Sequence, residues 1–190
     1  RYKHLGSLVT QDAGMGQELA QRQLMASLAL RPLRRHVFCS SSVPDVCRFH
    51  LYESLAKTVL LHRAGSWTPL DVTTLRTLEV RHGQLLRTVT HKTYNPAVAH
   101  PLTLEACRIL AFQPTVAAML SIARLRLCSA LLVSDPLALW ALLREAGGLD
   151  DAWGALLATD LEWLKQHVHR LSQMPAPHAD IASWEKFVLG

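Results

Sequence analysis

The chain lacks any run of apolar residues long enough to cross a bilayer, and it has few cysteines. A membrane-spanning helix needs about 20 apolar residues, and the richest stretch, residues 116–133, is interrupted by Arg124 and Arg126. The N-terminal residues also lack the pattern of a secretory signal. The four cysteines follow no pairing rhythm, which indicates free thiols in a reducing compartment. We therefore expect an intracellular protein of the nucleus or cytoplasm, without a membrane partner.

Motifs of catalysis are equally scarce. Gly14 and Gly16 are typical of a turn rather than of a phosphate-binding loop, because no third glycine follows. The serine run at residues 40–42 lacks the flanking glycines of a nucleophile elbow. The adjacent carboxylates Asp150 and Asp151 suit the start of a helix, where the dipole favours negative charge. We expect this chain alone to bind no cofactor and to catalyse no reaction.

Positive charge is concentrated in the first part of the chain. Residues 1–110 hold 14 Lys and Arg against 7 Asp and Glu, whereas residues 111–190 hold 6 against 8. A basic region beside a near-neutral one is typical of a surface that faces a polyanion next to a packing or docking module. On charge alone, ordinary solvated arginines explain the pattern equally well.

Hydrophobic periodicity predicts an all-α fold, a helical arm preceded by one short β-strand or the remnant of a hairpin. The strand pattern covers residues 2–10. A first helix is expected from Gln17 until shortly before Pro32, which removes a backbone donor and ends regular helix. Its apolar side is predicted to consist of four leucines: Leu19, Leu24, Leu28 and Leu30.

Cap signatures place the next two helices. Ser42 and Thr68 are each followed by a proline and, three residues after the cap, by an aspartate, Asp45 or Asp71. A loop is expected at residues 91–101. Further helices are expected at about 104–111, from Pro114, at 135–146, at 151–171 and at 181–189. We divide the chain into an end strand and turn (1–14), connected helices (15–133) and a C-terminal helical extension (134–190).

Two Cys and two His residues form the best candidate for a metal site. His36, Cys39, Cys47 and His50 are arranged as two pairs with i,i+3 spacing, and thiolate with imidazole suits zinc. The spacing matches no common zinc finger, and such residues at helix ends more often cap or pack. We regard the zinc site as the weaker interpretation.

Trp67 lies in the short connection Gly65-Ser66-Trp67-Thr68-Pro69 between two predicted helices. It either stacks on a nucleic-acid base or packs back on the helix beside it and fixes the joint. An aromatic residue next to a cap commonly packs, so we favour the second alternative.

Several segments, in their order along the chain, resemble the reverse transcriptases of non-LTR (LINE-type) retrotransposons. YKHLGSLV at residues 2–9 is similar to the aromatic-x-x-Leu-Gly-x-hydrophobic segment that follows the catalytic region of that family. LLHRAGSWT at 60–68 is similar to its leucine-rich run ending in a small residue, Thr or Ser, and Trp. The segments 75–87 and 124–127 resemble later helices.

The resemblance has limits. It covers roughly residues 1–133, and 134–190 resemble nothing that we can name. His62 and Arg63 stand where the family often has an aromatic residue and a glycine. The histidine often found a little after the later helix is replaced by Cys128 and Ser129.

The resemblance implies that the chain is the end of a palm domain with the thumb and following helices. The catalytic aspartates and their Mg²⁺ would then belong to an upstream palm, and this part would bind primer–template duplex beside the palm and fingers of its own polypeptide. A thumb follows an A-like duplex through its backbone, which requires scattered cations and hydroxyls. The expected contacts are Lys3, His4, Gly6 and Ser7 near the primer end, and Arg22, Arg31, Arg34 and Arg35 on phosphates.

A different class of function stays open. The chain could be a helical protein–protein scaffold, or an inactive remnant of a retroelement, whose Trp-rich helices after residue 134 carry the contacts. Duplex binding that depends on salt discriminates between these alternatives.

Overall fold

The computed structural model describes residues 15–90, 102–134, 137, 152–168 and 183, together with the backbone of 2–4, 7–9, 94–95 and 100–101. Most of these residues are helical, so the predicted all-α class is confirmed. Two compact units are formed, one from residues 1–62 and 70–119, the other from 63–69 and 120–190. These limits differ from the divisions at 14 and 133 suggested by the sequence.

The first unit opens with a short hairpin. Strand β1 (Tyr2–His4) pairs antiparallel with β2 (Ser7–Val9), with His4 opposite Ser7. Helix α1 (Gly16–Leu30) follows and ends where Pro32 was expected to end it. A 3₁₀ turn, Arg31–Leu33, then leads into a π-helical segment, Arg34–Phe38.

The centre of the first unit is a helix with three successive geometries. It consists of α2 (Asp45–Leu51), a π-helical segment (Tyr52–Lys57) and α3 (Thr58–Leu60). It packs on α1. Helix α4 (Val72–Val89) packs against α5 (Leu104–Leu110) and contacts α1. The fully buried side chains of this unit include Leu30, Phe38, Tyr52, Leu60, Leu78 and Leu86.

The predicted loop at residues 91–101 contains a small ladder. Tyr94–Asn95 (β3) pairs antiparallel with His100–Pro101 (β4). Proline is tolerated in such short edge strands, because no ladder hydrogen bond needs the backbone N–H that proline lacks. Regular structure is therefore present where we expected none.

The second unit contains most of α6 (Val116–Ser134) together with α7 (Ala152–His167). Cys128 and Leu157 form a buried cluster, joined by the half-buried residues Leu125, Leu131, Trp153 and Leu161. The 3₁₀ turn Ala64–Ser66 belongs to the same unit. The helices predicted at 135–146 and 181–189 lie mostly outside the described residues.

Candidate nucleic-acid interface

The C-terminal end of α1 presents a cluster of exposed arginines. Pro32 forces the chain out of α-helical hydrogen bonding, and the next turns become 3₁₀ and then π-helical. Phe38 is fully buried at the end of the π-helical segment and anchors it. Arg31, Arg34 and Arg35 are all exposed along this stretch. The local fold thus places three predicted phosphate contacts within five residues at one end of α1.

These three guanidinium groups differ from those arginines of the first unit that form ion pairs. Arg48 pairs with Asp45 at 2.8 Å, and Arg108 pairs with Glu105. Within the described part of the chain, no carboxylate forms an ion pair with Arg31, Arg34 or Arg35. An arginine without a carboxylate partner keeps its five N–H donors for an incoming oxyanion such as phosphate.

Arg22 has a different environment from the one predicted. Its side chain is buried, forms an ion pair with Glu18 one helical turn earlier, and donates a hydrogen bond to the carbonyl of His62. Moving Arg22 to a phosphate would leave the buried Glu18 carboxylate without this counter-ion, which is costly. The structure therefore argues against the predicted phosphate contact, and Arg22 instead holds α1 to the end of α3.

The expected primer-end residues lie in or beside the N-terminal hairpin. Lys3 and His4 belong to β1, and Ser7 begins β2. Gly6 lies outside the described residues. The pairing of His4 with Ser7 brings these two positions together across the hairpin. That the hairpin is the end of a palm stays a prediction.

The candidate zinc ligands do not form a site. Cys39 and Cys47 are exposed free thiols, and His36 and His50 are also exposed. Across the described ranges, no group of three or more His, Cys, Asp or Glu side chains is arranged to hold a metal ion. His36 lies in the π-helical segment that Cys39 follows, and Cys47 and His50 lie one helical turn apart in α2.

The segment around Trp67 is a packing joint of the second unit. Trp67 is 5% exposed, so its ring is packed in the interior, as the favoured alternative predicted, and is not available to stack on a base. The indole Nε1 of Trp153 donates a hydrogen bond of 2.8 Å to the carbonyl of Gly65. Arg63, which stands where the family often has a glycine, adopts φ 55°. Glycine is the least strained residue in that left-handed region.

Of the two arginines in α6, one is buried and the other is exposed. Arg124 is buried in a two-point ion pair with Asp160 of α7, with Nε 2.7 Å from Oδ2 and Nη2 3.2 Å from Oδ1. Arg126 is exposed. Arg124 therefore ties α6 to α7, and only Arg126 is accessible to a ligand.

Sequence reasoning missed Arg81. Periodicity showed only that it lies off the apolar stripe of α4. In the structure it is exposed and lines the same groove as Arg31 and Arg34. No sequence signal could have found it, because roughly fifty residues separate it from these two and only the packing of α4 with α1 brings them together.

Comparison with protein-family models, with curated proteins and with solved structures gives no match for the chain. Among the helices that the structure describes, none is both long and apolar enough to span a membrane.

Proposed function

We propose that the chain is a nucleic-acid-positioning part of the RNA-directed DNA polymerase of a non-LTR retroelement. The observation that carries this proposal is the arginine cluster at the end of α1. Arg31, Arg34 and Arg35 are exposed in the most basic part of the chain and have no described carboxylate partner. Such groups bind the sugar–phosphate backbone without reading bases, as a polymerase thumb requires.

The backbone at Arg63 supports the resemblance behind this proposal. The family often has a glycine at this place, and a positive φ is the physical reason for a glycine. The buried Trp67 and the close packing at Gly65 likewise give the similar segment 60–68 a structural role.

The proposed mechanism is electrostatic holding. The arginines neutralise backbone phosphates and release condensed counterions, which supplies affinity for any sequence of duplex. Chemistry at the primer end would be performed by the upstream palm with its aspartates and Mg²⁺. This chain would act on the reaction only by holding primer and template in place, and its partners would be the duplex and the other domains of its polypeptide.

A protein–protein scaffold, active or decayed, is the second candidate, and exposed apolar side chains favour it. Leu24, Met25 and Leu28 lie exposed on α1, although the sequence predicted two of them to be buried. Ile109 is 60% and Phe112 90% exposed at the end of α5. A scaffold would bind through these groups, with little affinity for duplex and little dependence on salt.

Removing two arginines of the cluster tests the proposal. Each phosphate contact contributes about 0.7–0.9 to the slope of log K against log salt concentration. We therefore expect Arg34→Ala/Arg35→Ala to flatten the slope for an RNA–DNA duplex by about 1.5. The measurement is fluorescence anisotropy at several KCl concentrations.

The matched control is Arg76→Ala/Arg126→Ala, which removes the same charge from two exposed arginines outside the cluster. The control slope should stay close to that of the unaltered chain. If the salt slope decreased equally in both double variants, net charge alone, and not the cluster, would account for the binding.

A further inference from the structure

The first unit contains a groove between the end of α1 and the outer side of α4. Its volume is about 310 Å³. The charged residues along it are Arg31 and Arg34 from the end of α1 and Arg81 from α4. Apolar contacts come from Leu28, Leu30 and Leu85. Three arginines from two segments that are distant in sequence therefore line one concave surface.

The groove has charge of one sign only. None of its ten lining residues is acidic, and the other polar ones are Gln23, Ser27, Gln84 and Thr88. Arg81 Nη1 donates to Gln84 Oε1 at 3.0 Å, a neutral partner that leaves its positive charge uncompensated. A concave site with unopposed cations focuses positive potential and attracts anions.

A second concave surface of the same unit provides the contrast. It lies between α4 and α5 and contains Arg76 and Arg108 together with Glu79 and Glu105. Its charges balance, and Arg108 is already paired with Glu105. The presence of arginine alone therefore does not give a concave surface a net positive charge. The first groove differs because its lining contains three arginines and no carboxylate.

The side chains around the arginines are suited to oxyanions and sugar hydroxyls. The amide groups of Gln23 and Gln84 offer N–H donors. The hydroxyls of Ser27 and Thr88 donate to carbonyls of their own helices, at 2.8 and 3.1 Å, so their oxygen lone pairs remain available to accept from a sugar hydroxyl. The volume lies at the small end of the range for ligand sites.

We infer that this groove is a phosphate-binding site in which Arg81 is the third cation, and that Arg81 adds one backbone-phosphate contact to those made by Arg31, Arg34 and Arg35 at the end of α1. The inference rests on the proposed function for the source of the phosphate. It assigns a binding role to α4.

Arg81→Gln is the test, because Arg81 is exposed and its replacement buries no polar group. Arg76→Gln is the matched control on the same helix. Five residues separate the two positions, which rotates Arg76 by about 140° from Arg81. We expect Arg81→Gln to weaken RNA–DNA duplex binding roughly fivefold at low salt and to flatten the salt slope by about 0.7–0.9. Arg76→Gln should change neither quantity, and both variants should keep the helical circular dichroism and melting temperature of the unaltered chain.

Three results distinguish failure of this inference from failure of the proposed function. If Arg81→Gln binds duplex like the unaltered chain while Arg34→Ala/Arg35→Ala binds weakly, the groove is not a phosphate site and the proposed function stands. If the unaltered chain binds no duplex, the proposed function fails. Inorganic pyrophosphate then tests the groove independently of duplex binding. If pyrophosphate raises the melting temperature of the unaltered chain but not that of Arg81→Gln, the groove is a site for free phosphate. If it does not raise the melting temperature of the unaltered chain, the inference is overturned.

Discussion

His82 is a buried imidazole in the first unit. It is 2% exposed, and its ring centroid lies 5.8 Å from that of Tyr52. Its Nε2 has no hydrogen-bond partner in the structure. Burial, reinforced by the positive charges of Lys57 and Arg108, lowers the pKa of His82 to about 4. The side chain is therefore neutral near pH 7.

This environment predicts acid sensitivity. The unfolded chain binds a proton at His82 near the ordinary pKa of about 6.5, whereas the folded chain binds it only near pH 4, so stability falls as pH drops between these values. We expect the free energy of unfolding to decrease by about 2 kcal/mol from pH 7 to pH 5. Urea denaturation at the two pH values measures it.

His82→Gln is the control for this prediction, since glutamine does not titrate. Carboxylates with a lowered pKa, such as Glu53, affect stability mainly below pH 5, outside the range between the two measurements. The variant should show little change between pH 7 and pH 5. An equal pH dependence in both proteins would assign the effect to other groups.

Single residues also show where sequence reasoning holds and where it stops. Thr68 and Pro69 were predicted to begin α4, but the helix begins at Val72, and the carboxylate of Asp71 accepts from the backbone N–H of Thr74 at 2.9 Å. Asp71 is therefore the cap itself and not its partner three residues on. Both residue types cap well, and local sequence does not choose between two good caps three residues apart.

Helix α1 shows the same limit at the scale of an element. Its extent was predicted closely, because a proline and a turn delimit it. Its buried face was predicted only in part: Leu19 and Leu30 are buried as expected, but Leu24 and Leu28 are exposed. Ala26 and the Glu18–Arg22 pair are buried as well. The π-helical segment Tyr52–Lys57 packs against α1, and the hydrophobicity of α1 alone cannot reveal that neighbour.

Gly65 lies where two elements of the second unit approach each other closely. A Cβ placed there would lie 2.5 Å from the carbonyl oxygen of Ala123 and 3.0 Å from Cβ of Leu127. A backbone carbonyl of a helix cannot rotate away. The close approach of the 64–66 turn to α6 therefore requires glycine.

We expect Gly65→Ala to destabilise the protein by about 2–3 kcal/mol, since either the turn or α6 must shift. Urea denaturation followed by Trp fluorescence measures the change. Gly16→Ala is the control, because no atom lies within 4 Å of a Cβ at Gly16. It should be neutral or slightly stabilising, and a Gly65→Ala protein as stable as this control would show that the close approach is absent in solution.

At the scale of the whole chain, local signals predicted the helical class and the positions of α5, α6 and α7, but not the two units. The segment 63–69 belongs with residues after 119, although it is distant from them in sequence. The hydrogen bond from Trp153 to Gly65 and the close approach of Gly65 to Ala123 join this segment to α7 and α6. Such long-range contacts leave no periodic pattern. The same holds for the groove, where only Arg31 and Arg34 were foreseen.

The salt dependence of duplex binding by the unaltered chain tests the central proposal most directly. Three or four phosphate contacts predict a linear plot of log K against log KCl concentration with a slope of about −2 to −4. Two RNA–DNA duplexes of unrelated sequence should give the same slope and similar affinity, since the contacts are to the backbone. An affinity that does not change with salt, or no measurable binding to either duplex at low salt, would contradict the account.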